Sequence, residues 1–357
     1  MKKIGILTWH YYNNYGSALQ AYALQNYLEK LGYVVDILNY RNPGKSNGKI
    51  KSFAKIVIGE ICEYLRVDAD KSVRFELFRH QYFHETKRVS GLQSLKKICE
   101  SYDYIVCGSD QIWAPNALNT IYLLDFNTSA KKISYAASIG LRALPDNLVD
   151  TYKNALEDFV KISVREEAGR EVLKRQLFMD AWVVLDPTML LEVSDYDKIK
   201  RDHVGRSKYC FVYILNKDNN YRKRIEEYAK KHRLEIVGIS AKSDDYQWIK
   251  KAQSCGPCEF IGNIAAAEHI FTDSYHGTVF SLLYHRPFTT FERFRQDDPI
   301  NQNSRIEQLS NTFGISDRII SGDMPIPEHF EYDYNLFDGL LAKERMAVQD
   351  FWEGIEL

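Results

Sequence analysis

The first forty residues constrain the fold more than any other stretch. Ile4–Thr8 is a short apolar run that reads as a buried strand. A polar and aromatic loop, Trp9–Gly16, follows it. Ser17–Leu31 then places Leu19, Tyr22, Leu24, Leu28 and Leu31 at roughly helical spacing, ahead of a helix-ending Gly32. Val34–Leu38 is the next apolar run. Strand, helix and strand in so short a span require a parallel sheet with helices on its faces. The loop Asn13-Asn14-Tyr15-Gly16-Ser17 carries one glycine, well short of a dinucleotide fingerprint. It reads as an anion or hydroxyl site, not as an NAD site.

The same pattern recurs along the chain. Tyr104–Cys107 is a strand ending in Gly108-Ser109-Asp110-Gln111-Ile112-Trp113. In open α/β sheets, ligands sit beyond the carboxyl ends of the strands. There Asp110 offers a carboxylate, Gln111 an amide and Trp113 a stacking face, all groups that bind sugars. Ile133–Ala137 reads as a further strand, Asp146–Phe159 as a helix, and Lys161–Val164 as a strand delivering Arg165-Glu166-Glu167 to its end. Arg165 either pairs with one of these acids or serves as a bidentate clamp for a carboxylate or phosphate. The change of domain is expected near Asp180. Trp182–Leu185 and Tyr209–Leu215 open a second run of strands, with helices at Asn220–His232 and Phe260–Glu268, a strand at Glu235–Ile239 and a last strand at Phe288–Phe291. The expected division is 1–178, with a basic helical insertion at about 42–98, then 179–332. Residues 333–357 hold a long helix, Tyr334–Trp352, crossing back to the first domain.

In the second half, Ile270–Phe280 carries the most chemistry. An apolar run rises to Thr272-Asp273-Ser274, His276-Gly277 follow, and Thr278–Leu283 has helical spacing. A strand that stops, turns on a glycine and launches a helix presents backbone N–H groups and a dipole that favour an anion. A histidine beside that anion can move a proton near neutral pH. A partly buried histidine next to a turn glycine is the plain alternative. The flanking Asp273, Ser274 and Thr278 favour a site.

Composition narrows the classes. With 357 residues, 45% hydrophobic and 27% charged, the chain has the make-up of a globular protein long enough for two cores. A net charge of −1 gives no field directed at nucleic acid. No apolar run approaches the ~20 residues of a membrane helix. The apolar part of Met1–Leu7 is too short for a signal peptide and is broken by Trp9-His10-Tyr11-Tyr12-Asn13, so a cytoplasmic location is expected. Charge is uneven, however: Arg41 to Lys97 holds 13 Lys/Arg against 6 Asp/Glu. Ile50–His84 reads either as two helices packed on the core or as a basic amphipathic surface for anionic lipid head groups or an acceptor glycan, peripheral to the inner membrane face. The 24 Tyr and 18 Phe suit sugar stacking as well as core packing. Six cysteines form no framework, and Cys255-Gly256-Pro257-Cys258 without a second pair is a loop, not a metal site.

Several strings, in order, resemble the polysaccharide pyruvyl transferase family. They are Asn14-Tyr15-Gly16-Ser17-Ala18-Leu19-Gln20, Gly108–Trp113, Ile162-Ser163-Val164-Arg165-Glu166, Leu185-Asp186-Pro187-Thr188, Thr272–Thr278 and Asn303-Ser304-Arg305-Ile306. The resemblance implies an α/β fold of two Rossmann-like domains with parallel sheets facing a central cleft, as in GT-B glycosyltransferases. It implies phosphoenolpyruvate as donor, a saccharide acceptor that gains a pyruvate ketal, and a place in surface or capsular polysaccharide synthesis. The scheme needs no metal or organic cofactor. His276 is then the general acid and Asp110 the base for the acceptor hydroxyl. Arg165, Ser274, Gly277, Thr278 and Arg305 are the donor-binding residues. Asn14, Tyr15, Gly16, Gln20, Ser109, Gln111 and Trp113 are the acceptor-binding ones. The acceptor could be lipid-linked. Relatives tend to carry an arginine two positions before the histidine. Here that position is Ser274, and Arg305 or Arg286 is expected to replace the charge. Two other readings stay open: a nucleotide-sugar glycosyltransferase using Glu259 or Glu268 for ribose, and a catalytically reduced glycan- or anion-binding member.

Overall fold

The computed structural model describes residues 1–41, 49–65, 70–202, 207–216, 221–240, 243–252, 255–294, 298, 301–321, 324–327 and 331–355. The expected linker Asn42–Gly48 lies outside them. The chain divides into two compact units. Met1–Ile58, Glu76–Leu191 and Ala342–Leu357 form the first, and Gly59–Phe75 and Glu192–Leu341 the second.

The first unit is built on β1 (Lys3–Leu7), β2 (Val34–Ile37), β3 (Tyr104–Cys107), β4 (Lys131–Ser134) and β5 (Phe159–Lys161). They form one parallel sheet in the order β2-β1-β3-β4-β5. The helix after β1 starts earlier than leucine spacing suggests, at Tyr15, because Asn14 caps it by accepting from the Ser17 N–H at 3.1 Å. It ends at Lys30, and Gly32 takes the left-handed turn beyond it (φ 91°). The expected strand Lys161–Val164 is two strands. Residues 159–161 stay in the main sheet, while β6 (Ser163–Val164) pairs in parallel with β7 (Trp182–Val183). That pairing keeps β7 in the first unit, so the division falls after Leu191 instead of at 178/179.

The second unit holds β8 (Tyr209–Ile214), β9 (Glu235–Ser240), β10 (Lys250–Lys251), β11 (His269–Thr272), β12 (Phe288–Phe291) and β13 (Ile319–Ile320). These are also all parallel, in the order β10-β9-β8-β11-β12-β13. Every residue of β8 and β11 is buried, as an unbroken apolar strand in a parallel sheet requires. The sheet extends past the expected last strand, Phe288–Phe291, to β13, whose two residues are too few to show a pattern in the sequence.

Helices Lys49–Leu65, Lys71–Tyr82 and Leu92–Cys99 occupy the basic segment. It is therefore no simple insertion, since Gly59–Phe75 belongs to the second unit. Helix Tyr334–Trp352 stands where expected, and the chain returns to the first unit at Ala342. Among the described residues, no helix is long and apolar enough to cross a membrane.

Candidate active site

In each unit the strand order reverses direction once, between β1 and β3 in the first and between β8 and β11 in the second. Such switch points open a crevice at the carboxyl ends of the strands, where backbone groups stop pairing with each other.

At the first switch point the polar side chains bind one another. The Gln20 amide donates to Thr8 Oγ1 and to the Ser17 carbonyl, each at 3.0 Å, and accepts from the Ser109 N–H at 3.0 Å. Asp110 has left-handed backbone (φ 73°) and accepts from Ser17 Oγ and from the Gln111 N–H. A second layer lies beneath. Ser109 Oγ donates to the Ala136 carbonyl at 2.9 Å and faces Asp186 Oδ2 at 3.3 Å. Arg165 Nη1 donates to the same Asp186 oxygen at 2.7 Å, and Thr188 closes on Asp186 Oδ1 through its N–H and hydroxyl. Glu166 accepts from Ser138 Oγ at 2.9 Å and the Gly140 N–H at 3.0 Å. Arg165 and Asp186 are 3% and 0% exposed, so this is a buried pair held by added hydrogen bonds.

At the second switch point, Ser274 is the N-cap of helix Tyr275–Leu283. Its Oγ accepts from the Gly277 N–H at 3.4 Å, and its carbonyl accepts from the Thr278 N–H at 3.0 Å and from Thr278 Oγ1 at 3.1 Å. Gly277 therefore lies inside the first helical turn, not in the turn before it. A Cβ there would stand 2.4 Å from Thr272 Oγ1, which itself donates to the Tyr213 carbonyl. The glycine lets the helix start press against the strand end. His276, on the same turn, is 7% exposed and meets Tyr275 edge-on at 5.2 Å between centroids. Asp273 bridges the switch, accepting from the Leu215 and Asn216 N–H groups at 2.7 Å each. Arg293 Nη2 donates to the Asp273 carbonyl at 2.9 Å and lies 3.8 Å from its carboxylate. Burial pushes the Asp273 carboxyl above its ordinary value, against the pull of Arg293 and those amides.

The residues read from the sequence fall out as follows. Asp110, Ser109, Gln20, Asn14, Tyr15 and Gly16 gather at the first switch point, and Ser274, His276, Gly277 and Thr278 at the second. Trp113 is a correction: it is 0% exposed, donates to the Tyr122 carbonyl at 3.0 Å and packs on Phe159, so its ring is core and offers no stacking face. Gln20 is likewise fully buried and its amide is committed to the protein. The Gly277 and Thr278 amides belong to the helix cap, and the Arg165 guanidinium is paired with Asp186. Arg305 lies on the first turn of helix Ser304–Phe313, bonded to Gln302 through its backbone and side-chain oxygens. Arg286 precedes β12, which runs parallel to β11, so it sits at the sheet edge opposite Ser274. The arginine that does follow a strand at the correct edge is Arg293, just beyond β12. The rule applied to Asp110, a polar residue following an apolar strand, would have found it. Asp186 and Ser17 carried no signal beyond the shared motif strings.

Among the described residues, no cluster of three or more His, Cys, Asp or Glu could hold a metal ion. The family model for polysaccharide pyruvyl transferases matches residues 14–293. No curated protein sequence matches the chain. Similar solved structures include the UDP-GlcNAc 2-epimerase of Methanocaldococcus jannaschii, at 13% identity and a TM-score of 0.53, covering 98% of this chain and 100% of that one. The Neisseria meningitidis UDP-GlcNAc 2-epimerase bound to UDP-GlcNAc is similar at 10% identity and 0.52, covering 98% and 99%. At such identities the likeness shows the fold, two Rossmann-like units of the GT-B kind.

Proposed function

The chain belongs to the polysaccharide pyruvyl transferase family, and we propose that it moves the three-carbon unit of phosphoenolpyruvate onto saccharide hydroxyls as a pyruvate ketal, releasing phosphate, for a surface or capsular polysaccharide. The observation that carries this reading is the second switch point: a nearly buried histidine on the first turn of a helix, with an arginine at the neighbouring strand end.

Ketal formation needs one proton delivered to the methylene carbon of the donor. The first sugar hydroxyl adds to the adjacent carbon and gives up its proton. The C–O bond to phosphate breaks, phosphate leaves with the bond's electron pair, and the second hydroxyl closes the ketal as its proton passes to the departing phosphate. His276 is the acid, kept protonated by the anionic donor beside it. The helix N-terminus favours the donor's negative charge. Arg293 supplies the cation that Ser274 lacks, and Arg305 stands one helix away as a second donor contact. Asp110 is the base for the acceptor hydroxyl, with Gln111 and Asn14 as acceptor contacts. Gln20, Ser109 and Arg165 position that wall from within. No organic cofactor enters the scheme.

The test is phosphate release from phosphoenolpyruvate that depends on an added saccharide, together with thermal melting. Phosphoenolpyruvate should raise the melting temperature by mass action and UDP-GlcNAc should not. The opposite pattern would make the chain a nucleotide-sugar enzyme.

A further inference from the structure

Beyond β1 and β2 the first unit carries a polar cluster that the reaction scheme leaves unused. A cavity of about 320 Å³, the size of a small-ligand pocket, opens there. Asn39 and Arg41 line it from the segment after β2, Glu76 and Arg79 from helix Lys71–Tyr82, and Glu85 from just beyond that helix. His10, which follows β1, adjoins it with Nε2 3.5 Å from Glu85 Oε1. All six residues belong to the first unit.

Four buried polar atoms of this cluster have no hydrogen-bond partner: Arg79 Nε and Nη1, Glu85 Oε1 and His10 Nε2. Arg79 and His10 are 5% and 0% exposed, and leaving such groups unmet is costly. The remaining atoms fix what each unmet one offers. Arg79 Nη2 already donates to Glu76, so Nε and Nη1 are the free donors. His10 Nδ1 faces the Thr8 carbonyl at 3.0 Å, and a carbonyl only accepts. The ring proton therefore sits on Nδ1 and Nε2 is an acceptor. Burial with Arg41 keeps that ring neutral, holding it down at about 3. Glu85 Oε2 accepts from Asn39 Nδ2, and burial pushes the carboxyl up to about 7, so Oε1 can accept or donate.

This mixture of donors and acceptors narrows the ligand. A bare phosphate answers guanidinium groups but leaves the acceptor nitrogen of His10 poorly served. A sugar acid answers both, because its carboxylate accepts and its hydroxyls donate as well as accept. Arg41 adds a cation with neutral partners: its Nε donates to Asn39 Oδ1 at 2.9 Å and its guanidinium lies over the Tyr11 ring at 4.4 Å. Tyr11 lies against Tyr12, centroids 4.2 Å apart, and Tyr12 is 39% exposed. Aromatic faces of this kind pack on the C–H side of a sugar ring.

The cluster also shares a sheet edge with Asp110, because β1, β2 and β3 are parallel and adjacent. About 10 Å separates β2 from β3, with β1 between them. A sugar held beside Arg41 is therefore a different residue from the one whose hydroxyl meets Asp110.

We propose that this cavity recognises a uronic acid residue of the saccharide, with Arg41 and Arg79 donating to its carboxylate and ring oxygens and Glu85 and His10 serving its hydroxyls. The acceptor is then an acidic oligosaccharide modified on another of its sugars. In taking the bound uronate to be part of the acceptor, the proposal rests on the pyruvyl-transfer reading. The binding itself does not, and it is measured without phosphoenolpyruvate.

Calorimetric titration of the full chain with glucuronate and galacturonate, with their neutral parents glucose and galactose, and with inorganic phosphate tests it. One uronate should bind about tenfold tighter or better than its parent, the increment of a charge-assisted hydrogen bond, and also tighter than phosphate. Arg41→Gln, at a half-buried position, should remove that advantage and leave the neutral sugars unchanged. Arg79→Gln should abolish uronate binding, with a thermal melt confirming that it folds. Equal affinity for acid and parent, or no uronate binding at millimolar concentration, overturns the proposal. So does phosphate binding as tightly as the better uronate, which would make the cavity an anion site that does not read sugars. Uronate binding that persists when no saccharide, acidic or neutral, supports phosphate release would instead remove the reaction scheme and leave this site standing.

Discussion

The two switch points occupy the same place in two similar sheets, yet their side chains are tied in different ways. At the first, the bonds join residues far apart in sequence: Gln20 to Ser109, Ser17 to Asp110, Ser109 and Arg165 to Asp186. At the second, the helix cap is local, Ser274 to Gly277 and Thr278, and the cross-strand ties come from Thr272 and Asp273 to β8 and its end, from Thr278 to Thr290 and from Arg293 to Asp273. Long-range buried polar ties specify how strand ends sit beside each other, and they are costly to break singly. A helix cap orders only its own first turn and leaves the dipole end available to a ligand. In the proposed scheme the first switch point frames the acceptor side and supplies Asp110, and the second carries His276.

The largest expected contrast is between His276→Ala and Asp186→Ala. His276→Ala should lower phosphate release by about 10²–10⁴-fold, the range of a lost acid–base group, with little change in melting temperature. Asp186→Ala should remove about 3–5 kcal/mol of stability in chemical denaturation, because it takes from the buried Arg165 its nearer carboxylate, at 2.7 Å, and leaves Glu166 at 3.9 Å. If Asp186→Ala instead kept its stability and lost activity, Arg165 would be a donor clamp and the comparison would fail.

The sequence made the sheets legible for a physical reason. Strands buried on both faces are short unbroken apolar runs, as in Tyr104–Cys107 and His269–Thr272, and each is followed by polar residues that must find partners. This places Asp110, Ser109, Ser274 and His276 at strand ends before any coordinates are known. The partners themselves were not legible. Trp113 looks like a sugar platform in a Ser-Asp-Gln-x-Trp string, and only three dimensions show its indole donating to Tyr122. Arg165 follows a strand just as a ligand clamp would, but β7 brings Asp186 to meet it through a two-residue pairing too short to see in the pattern. Arg293 carries no motif of its own, and only the pairing of β12 with β11 brings it to that strand end.

A pH experiment sharpens the comparison next. Burial raises both Asp273 in the second unit and Glu85 in the first, the latter from 4.5 to about 7. Between these pH values the folded chain keeps a proton on Glu85 that the unfolded chain has released. Its cost to stability therefore grows as pH rises and is complete above about 7. Glu85→Gln removes that cost, so the variant should gain on the parent chain by about 3 kcal/mol from pH 4.5 to 7 and stay level above. His10, lowered from 6.5 to about 3, tilts both chains in the opposite sense. Denaturation curves across pH 4 to 8, compared pairwise, isolate the carboxyl. A flat difference would mean that Glu85 is already ionised in the folded chain.

The smallest effect bears on Ser274, the N-cap of the helix that carries His276. Ser274→Ala removes the acceptor for the Gly277 N–H and should cost about 1 kcal/mol of stability. Ser274→Asp keeps a good cap and should hold stability, but it sets a negative charge at the helix end where the donor is expected. Its KM for phosphoenolpyruvate should rise by about tenfold or more while Ser274→Ala changes it little, since the added charge opposes the dipole's pull on an anion. The pair separates capping from donor binding at one position. If Ser274→Asp left KM unchanged, the donor would not lie at this helix end, and Arg293 would be a partner of Asp273 and nothing more.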